Sequence, residues 1–380
     1  MTTATTTEQN TATKGGNMNK RVYNFSAGPS VLPESVLEEV QANLLNYKGN
    51  GMSVMEMSHR SKPYQEIIDT AEANLRKIYG ISDDYAVLFL QGGASLQFTM
   101  IPANLAQEGK SVDYINTGAW AKKAVKEAKR LTNVNIVASS EDKNFSYFPD
   151  LSQASFDPNA SYVHVTSNNT IFGTQIQEFP KTGDVPLVAD MSSDILSREI
   201  NVNDFGLIYA GAQKNMGPAG VTVVIIRKDL AERCSTDVAT MLQYRTHISK
   251  GSMFNTPTTF GIYVIGEVLK WIDNQGGLKV VEEINNKKAA LLYNEIDSND
   301  FYYCPTDMAS RSKMNVPFRV AGDNEEIEAK FIKEAAAAGL TTLKGHRDVG
   351  GLRASIYNAM PIEGVQALVD FMKEFAKNNS

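Results

Sequence analysis

Lys214 lies in the run Tyr209-Ala-Gly-Ala-Gln213-Lys214-Asn215-Met-Gly217-Pro218-Ala-Gly220, a stretch of small residues between two apolar runs. A lysine in such a strand-end loop, with little bulk blocking access, can form a Schiff base with an aldehyde once partial burial and nearby positive charge lower its pKa. Read alone, the same lysine is a surface residue in a glycine-rich turn. Asp190 changes the reading. It ends the apolar run Pro186-Leu-Val-Ala-Asp190, and a further strand separates it from Lys214. A buried carboxylate at a strand end keeps a ring nitrogen protonated by opposing its charge, which lets pyridoxal phosphate (PLP) draw electrons from a carbanion. The bland alternative is an aspartate capping the next helix or turn.

Two further segments fit the same chemistry. Leu88-Phe-Leu-Gln-Gly92-Gly93-Ala94-Ser95-Leu-Gln-Phe passes from strand through glycines into helix, where backbone N–H groups make a phosphate cradle. A structural Gly-Gly turn reads the same way. Trp120, one of two tryptophans, closes Asn116-Thr-Gly-Ala-Trp120 and opens the helix after the next strand. An indole there stacks on a flat ring or packs in the core.

The elements that must position these residues follow an α/β pattern, short apolar runs alternating with longer amphipathic ones, as in a mostly parallel sheet wrapped by helices. The expected strands are Ala86–Leu90, Val112–Ile115, Tyr162–Val165, Leu187–Ala189, Leu207–Tyr209 and Val221–Ile226. Trp120–Leu131 reads as an amphipathic helix on that sheet. Thr258–Ile272 and Leu278–Ile296 read as long helices divided by Asn274-Gln275-Gly276-Gly277, a helix stop and restart. Val316–Val320, Glu325–Ala338, Arg353–Tyr357 and Ile362–Lys377 then give strand, helix, strand, helix. The expected organisation is a large domain over 21–275, whose first segment, 21–40, packs on a smaller α+β domain over 276–380. Residues 1–20, rich in Thr, Asn and Ala without an apolar core, read as a disordered leader, with Met18 an alternative start.

Composition narrows the function classes. The 380 residues are 42% hydrophobic and 21% charged with a net charge of −6, which disfavours broad binding to nucleic acid or anionic membrane. No apolar run reaches the ~18 residues of a membrane span. Cys234 and Cys304, far apart and without CxxC spacing, indicate neither a disulfide framework nor a zinc site, so no metal is expected and the reducing cytoplasm is the simplest location.

At this point the chain resembles the phosphoserine aminotransferase family, within the class V, fold-type I PLP-dependent enzymes. The resemblance runs from Asn24 to the C-terminus. It rests on Asn24-Phe-Ser-Ala-Gly28-Pro29-Ser-Val-Leu-Pro33, Met57-Ser58-His59-Arg60-Ser61, Gln213-Lys214-Asn215, Asn255-Thr256-Pro257 and Gly345-His346-Arg347-Asp-Val-Gly-Gly-Leu-Arg353-Ala-Ser-Ile-Tyr-Asn358. It implies a seven-stranded, mostly parallel sheet in the large domain. It also implies PLP as cofactor, Lys214 as the Schiff-base lysine, Asp190 as the pyridinium partner, Trp120 as the stacking ring, and Ala94, Ser95, Thr170 and Gln213 around the cofactor. Asn255 and Thr256 are implied to reach the cofactor phosphate of a neighbouring subunit, hence a homodimer with shared sites.

The implied reaction moves an amino group between glutamate and 3-phosphooxypyruvate, giving O-phospho-L-serine and 2-oxoglutarate, a step of serine biosynthesis. A related keto acid on the pyridoxine route is a second candidate. Such substrates carry carboxylate and phosphate ends, so an acidic protein must gather cations locally. His59-Arg60, His346-Arg347 and Arg353 are the candidates, and the two pairs use two of four histidines. Ser95 stands where some relatives carry arginine, removing one cationic contact. The alternatives are a serine–pyruvate or alanine–glyoxylate aminotransferase, a cysteine desulfurase, for which neither cysteine has a supporting motif, and a PLP-binding protein without turnover.

Overall fold

The structure, a computed structural model, describes residues 21–379. The expected leader lies outside the described residues. The chain opens with β1 (Tyr23–Asn24), α1 (Glu34–Ala42) and α2 (Lys62–Tyr79). The Ser61 hydroxyl caps α2 by accepting from Tyr64 N, and proline stands in its first turn. Tyr64, Ile67, Ile68, Ala71 and Leu75 recur at helical spacing and form its buried face.

A central sheet follows, built from β2 (Tyr85–Leu90), β3 (Ser111–Asn116), β4 (Asn133–Ser139), β5 (Val163–Thr166), β8 (Leu187–Asp190), β9 (Leu207–Gly211) and β10 (Thr222–Arg227). A short hairpin, β6 (Asn168–Asn169) and β7 (Thr174–Gln175), leaves the sheet after β5. The strand order is β2-β10-β9-β8-β5-β3-β4, parallel except for β10, which runs antiparallel to both neighbours. This is the seven-stranded, mostly parallel sheet of the α/β class that was expected.

Six of the strands fall within a few residues of the sequence reading. β4 does not appear there, because it is an edge strand paired only with β3 and its Asn133 and Asn135 break the apolar run. Helix α3 (Gly93–Leu105) follows β2, and α4 (Ala119–Ala128) follows β3. The latter stops three residues before the expected Leu131, whose side chain is 51% exposed.

Apolar residues cover both faces of the sheet, as parallel strands require. On one face Val163, Val165, Leu187, Ile208 and Val223 pack against α2 and α7 (Thr259–Asn274). On the other, Tyr114, Tyr162, Val188, Tyr209 and Val224 meet α3, α4 and the short α5 (Lys228–Ala231) and α6 (Tyr244–Ser249).

Helix α8 (Leu278–Asp297) gives Leu278 and Val281 to the first of these cores and Ala289, Leu292 and Ile296 to a separate one. That separate core is closed by β11 (Tyr302–Tyr303), β12 (Asn315–Val320), α9 (Glu325–Ala337), β14 (Leu352–Ser355) and α10 (Ile362–Asn379), with Phe331 edge-on to Tyr302 and Phe318. Between α9 and β14, β13 (Leu340–Thr341) pairs parallel with β1, and Phe25 enters the same core.

A buried cation ties the two regions together. Lys288 has no exposed surface, and its ammonium donates to the carbonyls of Ile356 (3.0 Å), Tyr357 (2.7 Å), Asn358 (3.4 Å) and Met360 (3.1 Å). The same loop crosses to the sheet, where Asn358 N donates to Asn215 Oδ1 at 2.9 Å, one residue past Lys214. Lys288→Met would leave those carbonyls unpaired, so it is expected to cost about 2–4 kcal/mol, read as a lower urea midpoint.

Candidate active site

A cavity of about 370 Å³ opens at the carboxyl ends of β3, β5 and β8, where an open α/β sheet offers its crevice. Among its lining residues are Ala94, Ser95, Trp120, Thr170, Asp190, Gln213, Lys214, His346 and Arg353. The structure thus brings nine of the sequence-derived candidates to one place.

Lys214 stands in the loop between β9 and β10. The N-terminal segment covers it: Ser30 N donates to the Gln213 carbonyl at 2.9 Å, and the Ser30 hydroxyl donates to the Lys214 carbonyl. Lys214 Nζ donates to Thr170 Oγ1 at 3.0 Å, while Arg353 Nη1 donates to the Thr170 carbonyl at 3.3 Å. Burial, with Arg353 adding to it, pushes the Lys214 ammonium down to about 8, against the pull of Asp190 and Asp194.

Asp190 closes β8 and is buried, and its Oδ1 accepts from Ser192 N at 2.9 Å. Burial raises its pKa, and the Ser192 contacts, Lys214 and Tyr209 oppose the rise. Trp120 lies in the first turn of α4, with Lys123 Nζ 4.0 Å from its ring centroid. Gly92 (φ 91°) and Gly93 (φ 65°) turn the chain into α3 in the left-handed region, and a Cβ on Gly92 would come within 2.5 Å of Leu96. No side chain caps that helix N-terminus, so its first turn faces the cavity with N–H groups to offer an anion.

His346 sits on the loop between β13 and β14, where Asp348 N donates to its Nδ1 at 3.2 Å. Burial lowers its pKa, with Asp348 opposing. Gly345 holds that loop closed, since a Cβ there would meet the Gly350 carbonyl oxygen at 2.0 Å.

Five candidates lie away from the cavity. Arg347 is 92% exposed and 3.6 Å from Asp348. His59 is buried, whereas Arg60 is exposed and makes no ion pair among the described residues. Asn255 Nδ2 donates to Gln91 Oε1 at 3.5 Å, and Gln91 Nε2 donates to the Thr256 carbonyl at 3.3 Å, beside the exposed Phe254.

The sequence reading missed Thr166, Asn168, Ser192 and Ser193, which also line the cavity. Thr166 stands in register with Asp190, and its buried Oγ1 has no hydrogen-bond partner, so a polar ligand would satisfy it. An activated lysine, a buried carboxylate, an indole and an uncapped helix N-terminus around such a group fit PLP. Among the described residues no three His, Cys, Asp or Glu side chains converge to hold a metal.

Known proteins bear on this site. The profile described as aminotransferase class-V matches residues 22–368. A phosphoserine aminotransferase of Desulfosudis oleivorans is 56% identical over 364 residues, 95% of this chain and 100% of its own. The chain belongs to the phosphoserine aminotransferase family. Among solved structures of that family, the enzyme from Bacillus circulans subsp. alkalophilus superposes with a TM-score of 0.93 at 51% identity, covering 95% of this chain and 99% of its own. A PLP-bound phosphoserine aminotransferase from Trichomonas vaginalis gives 0.88 at 41% identity, covering 93% and 100%. The class-V assignment agrees with the expected fold.

Proposed function

We propose that this chain transfers an amino group between glutamate and 3-phosphooxypyruvate, with PLP as cofactor, giving O-phospho-L-serine and 2-oxoglutarate. The observation that carries the reading is the convergence of Lys214 Nζ and Asp190 on one cavity that also holds Arg353 and His346. When bound, PLP supplies an aldehyde that takes up the amino group and a protonated ring that draws electrons from the adjoining carbon.

The protein's own residues do the rest. Asp190 would oppose the ring's positive charge, Trp120 would pack against the ring, and the first turn of α3 with Ser95 would hold the phosphate. Lys214 Nζ, uncharged in part near neutral pH, takes the α-proton and returns it on the far side of the transfer. Thr170 Oγ1 fixes where that nitrogen rests. Arg353, held by the Thr170 carbonyl, presents its guanidinium to the substrate carboxylate. Arg353→Ala is therefore expected to raise KM about tenfold or more for glutamate and for the phosphorylated acid alike, measured in each half-reaction. An effect on the phosphorylated substrate alone would move Arg353 to the phosphate end.

The reading includes a homodimer with shared sites. In one chain the cavity holds Arg353 and His346 but not His59, Arg60, Asn255 or Thr256, and burial disfavours charge on His346, so a substrate with carboxylate and phosphate ends needs further cations. Exposed Met55 (58%), just before His59 in the chain, and Phe254 (43%), next to Asn255, support an apolar contact between copies. Co-expressing Lys214→Ala and Arg60→Ala chains, each inactive alone, is expected to restore about a quarter of wild-type activity, because half the sites in mixed dimers are intact. No recovery would place Arg60 in its own chain's site. The two free cysteines agree with action in the cytoplasm.

The deciding experiment is the visible spectrum of the protein with PLP. The band is expected to change with glutamate and return with 3-phosphooxypyruvate but not with pyruvate or glyoxylate. Recovery only with the unphosphorylated acids would keep the chemistry and replace the substrate.

A further inference from the structure

Behind Asp190, on the side away from the cavity, the sheet holds a group of polar rings that the proposed reaction does not use. Register places them: Tyr209 pairs with Asp190 across β8 and β9, His164 pairs with Val188 two residues before Asp190, and Tyr114 pairs with His164. Residues paired this way share one face, so all four side chains project into the core covered by α3 and α4. His164 Nε2 lies 2.9 Å from the Tyr209 hydroxyl, and Tyr209 stands beside Asp190 in the sheet, where its phenol favours the charged form of the carboxylate. Tyr114 stacks on the imidazole at 4.6 Å with 19° between planes, and Phe98 meets Tyr209 edge-on, so both rings are buried.

The direction of these two contacts follows from what each group can carry. His164 and Tyr209 have almost no exposed surface, and burial pushes the imidazole down to about 3, so the ring is neutral and carries one hydrogen. His164 Nδ1 is buried with no partner. An orphaned lone pair is tolerated in a protein interior far better than an orphaned N–H. The hydrogen therefore sits on Nε2 and is donated to the Tyr209 oxygen, leaving the phenol's own hydrogen for Asp190.

We propose that His164 and Tyr209 form a two-step donor relay that orients the Asp190 carboxylate and holds it ionised in its buried position. Both are positioning residues, acting through Asp190. With Ser192 N on Oδ1 and Tyr209 behind, the carboxylate is supported by neutral donors, and its charge stays available to a cation in the cavity. The relay rests on the reading of Asp190 as the partner of the cofactor ring, and it names what keeps that partner competent.

The test begins without cofactor. A chain labelled with ¹⁵N-histidine shows four imidazoles, with His164→Gln assigning one of them. His164 is expected to be neutral with its hydrogen on Nε2 from about pH 5 to 9. A hydrogen on Nδ1 overturns the relay, because Tyr209 would then donate to Nε2 and turn a lone pair toward Asp190. The second measurement is the Kd for PLP by equilibrium dialysis. Tyr209→Phe keeps the ring shape and is expected to weaken binding about tenfold, His164→Leu several-fold, and His164→Gln, whose amide replaces the Nε2 donor, much less. Equal affinity of Tyr209→Phe and the unsubstituted chain would overturn the relay. If instead the unsubstituted chain itself fails to form a visible band with PLP, the cofactor reading falls, while the imidazole signals still decide the relay.

Discussion

The chain carrying Lys214→Ala is expected to lose at least about 10³-fold in kcat, to form no visible band with PLP, and to fold at least as stably as the unsubstituted chain. Lys214 combines two tasks that no neighbour can take over. Among the described residues its nitrogen is the only side-chain amine lining the cavity, so it is both the covalent anchor and the proton carrier. With a pKa of about 8, roughly one Lys214 in ten is uncharged at pH 7, against about one in 3,000 for an unperturbed lysine. Capture of PLP by the cofactor-free chain should thus quicken about tenfold per pH unit below 8 and level off above it. A lysine whose pKa drops from 10.5 to about 8 on folding leaves the unfolded chain with more bound protons between those values, so stability rises with pH across that window. Below 8 the folded chain bears the full cost of the buried charge. Alanine removes that cost and flattens the rise, which urea unfolding of the cofactor-free chain at pH 7 and pH 10 can measure. A Lys214→Ala chain that still transaminates would remove the assignment at its root.

How far the sequence carried depended on whether a residue's role was local. Lys214 and Asp190 were legible because their meaning lies in chain order: each follows a short apolar run, and a strand end in an α/β sheet points at the crevice. The helix stop at Gly276 and Gly277 was legible for the same local reason. β4 was not, since an edge strand need not be apolar, and nothing in Thr222–Arg227 states that β10 runs against its neighbours. Tyr209 and His164 read only as members of buried strands. Their relation to Asp190 depends on which strands lie side by side, β5 and β9 flanking β8 in the sheet, and on the register that sets their side chains on one face. Thr166 hides in the same way, its role resting on register with Asp190. For His59, Arg60, Asn255 and Thr256 the limit is of another kind. The family resemblance supplied them, and within one chain they stay outside the cavity, so their roles turn on how two copies meet.

Asp190→Asn should produce the second large effect, a kcat lower by on the order of 10³ with weakened retention of PLP, and its origin separates function from stability. Asparagine has nearly the same shape but offers no charge to oppose a ring cation. It also disturbs the hydrogen bonds behind it. If its oxygen keeps the Ser192 N–H, its amide group faces the Tyr209 hydroxyl, whose hydrogen then has no acceptor, since His164 already donates to that oxygen. Folding should respond the other way. The pKa of Asp190 is raised by burial above its ordinary 3.8, so between 3.8 and that raised value the folded chain holds the proton that the unfolded chain releases. Stability from this group therefore falls as pH rises, and at neutral pH the ionised carboxylate is a net burden on the cofactor-free fold. Thermal unfolding of cofactor-free chains at pH 7 is expected to show Asp190→Asn as stable as, or slightly more stable than, the unsubstituted protein. With PLP the order should reverse, because only the charged carboxylate gains from the ring. An Asp190→Asn chain stabilised by PLP as strongly as the parent would mean that the carboxylate belongs to the fold and not to the cofactor.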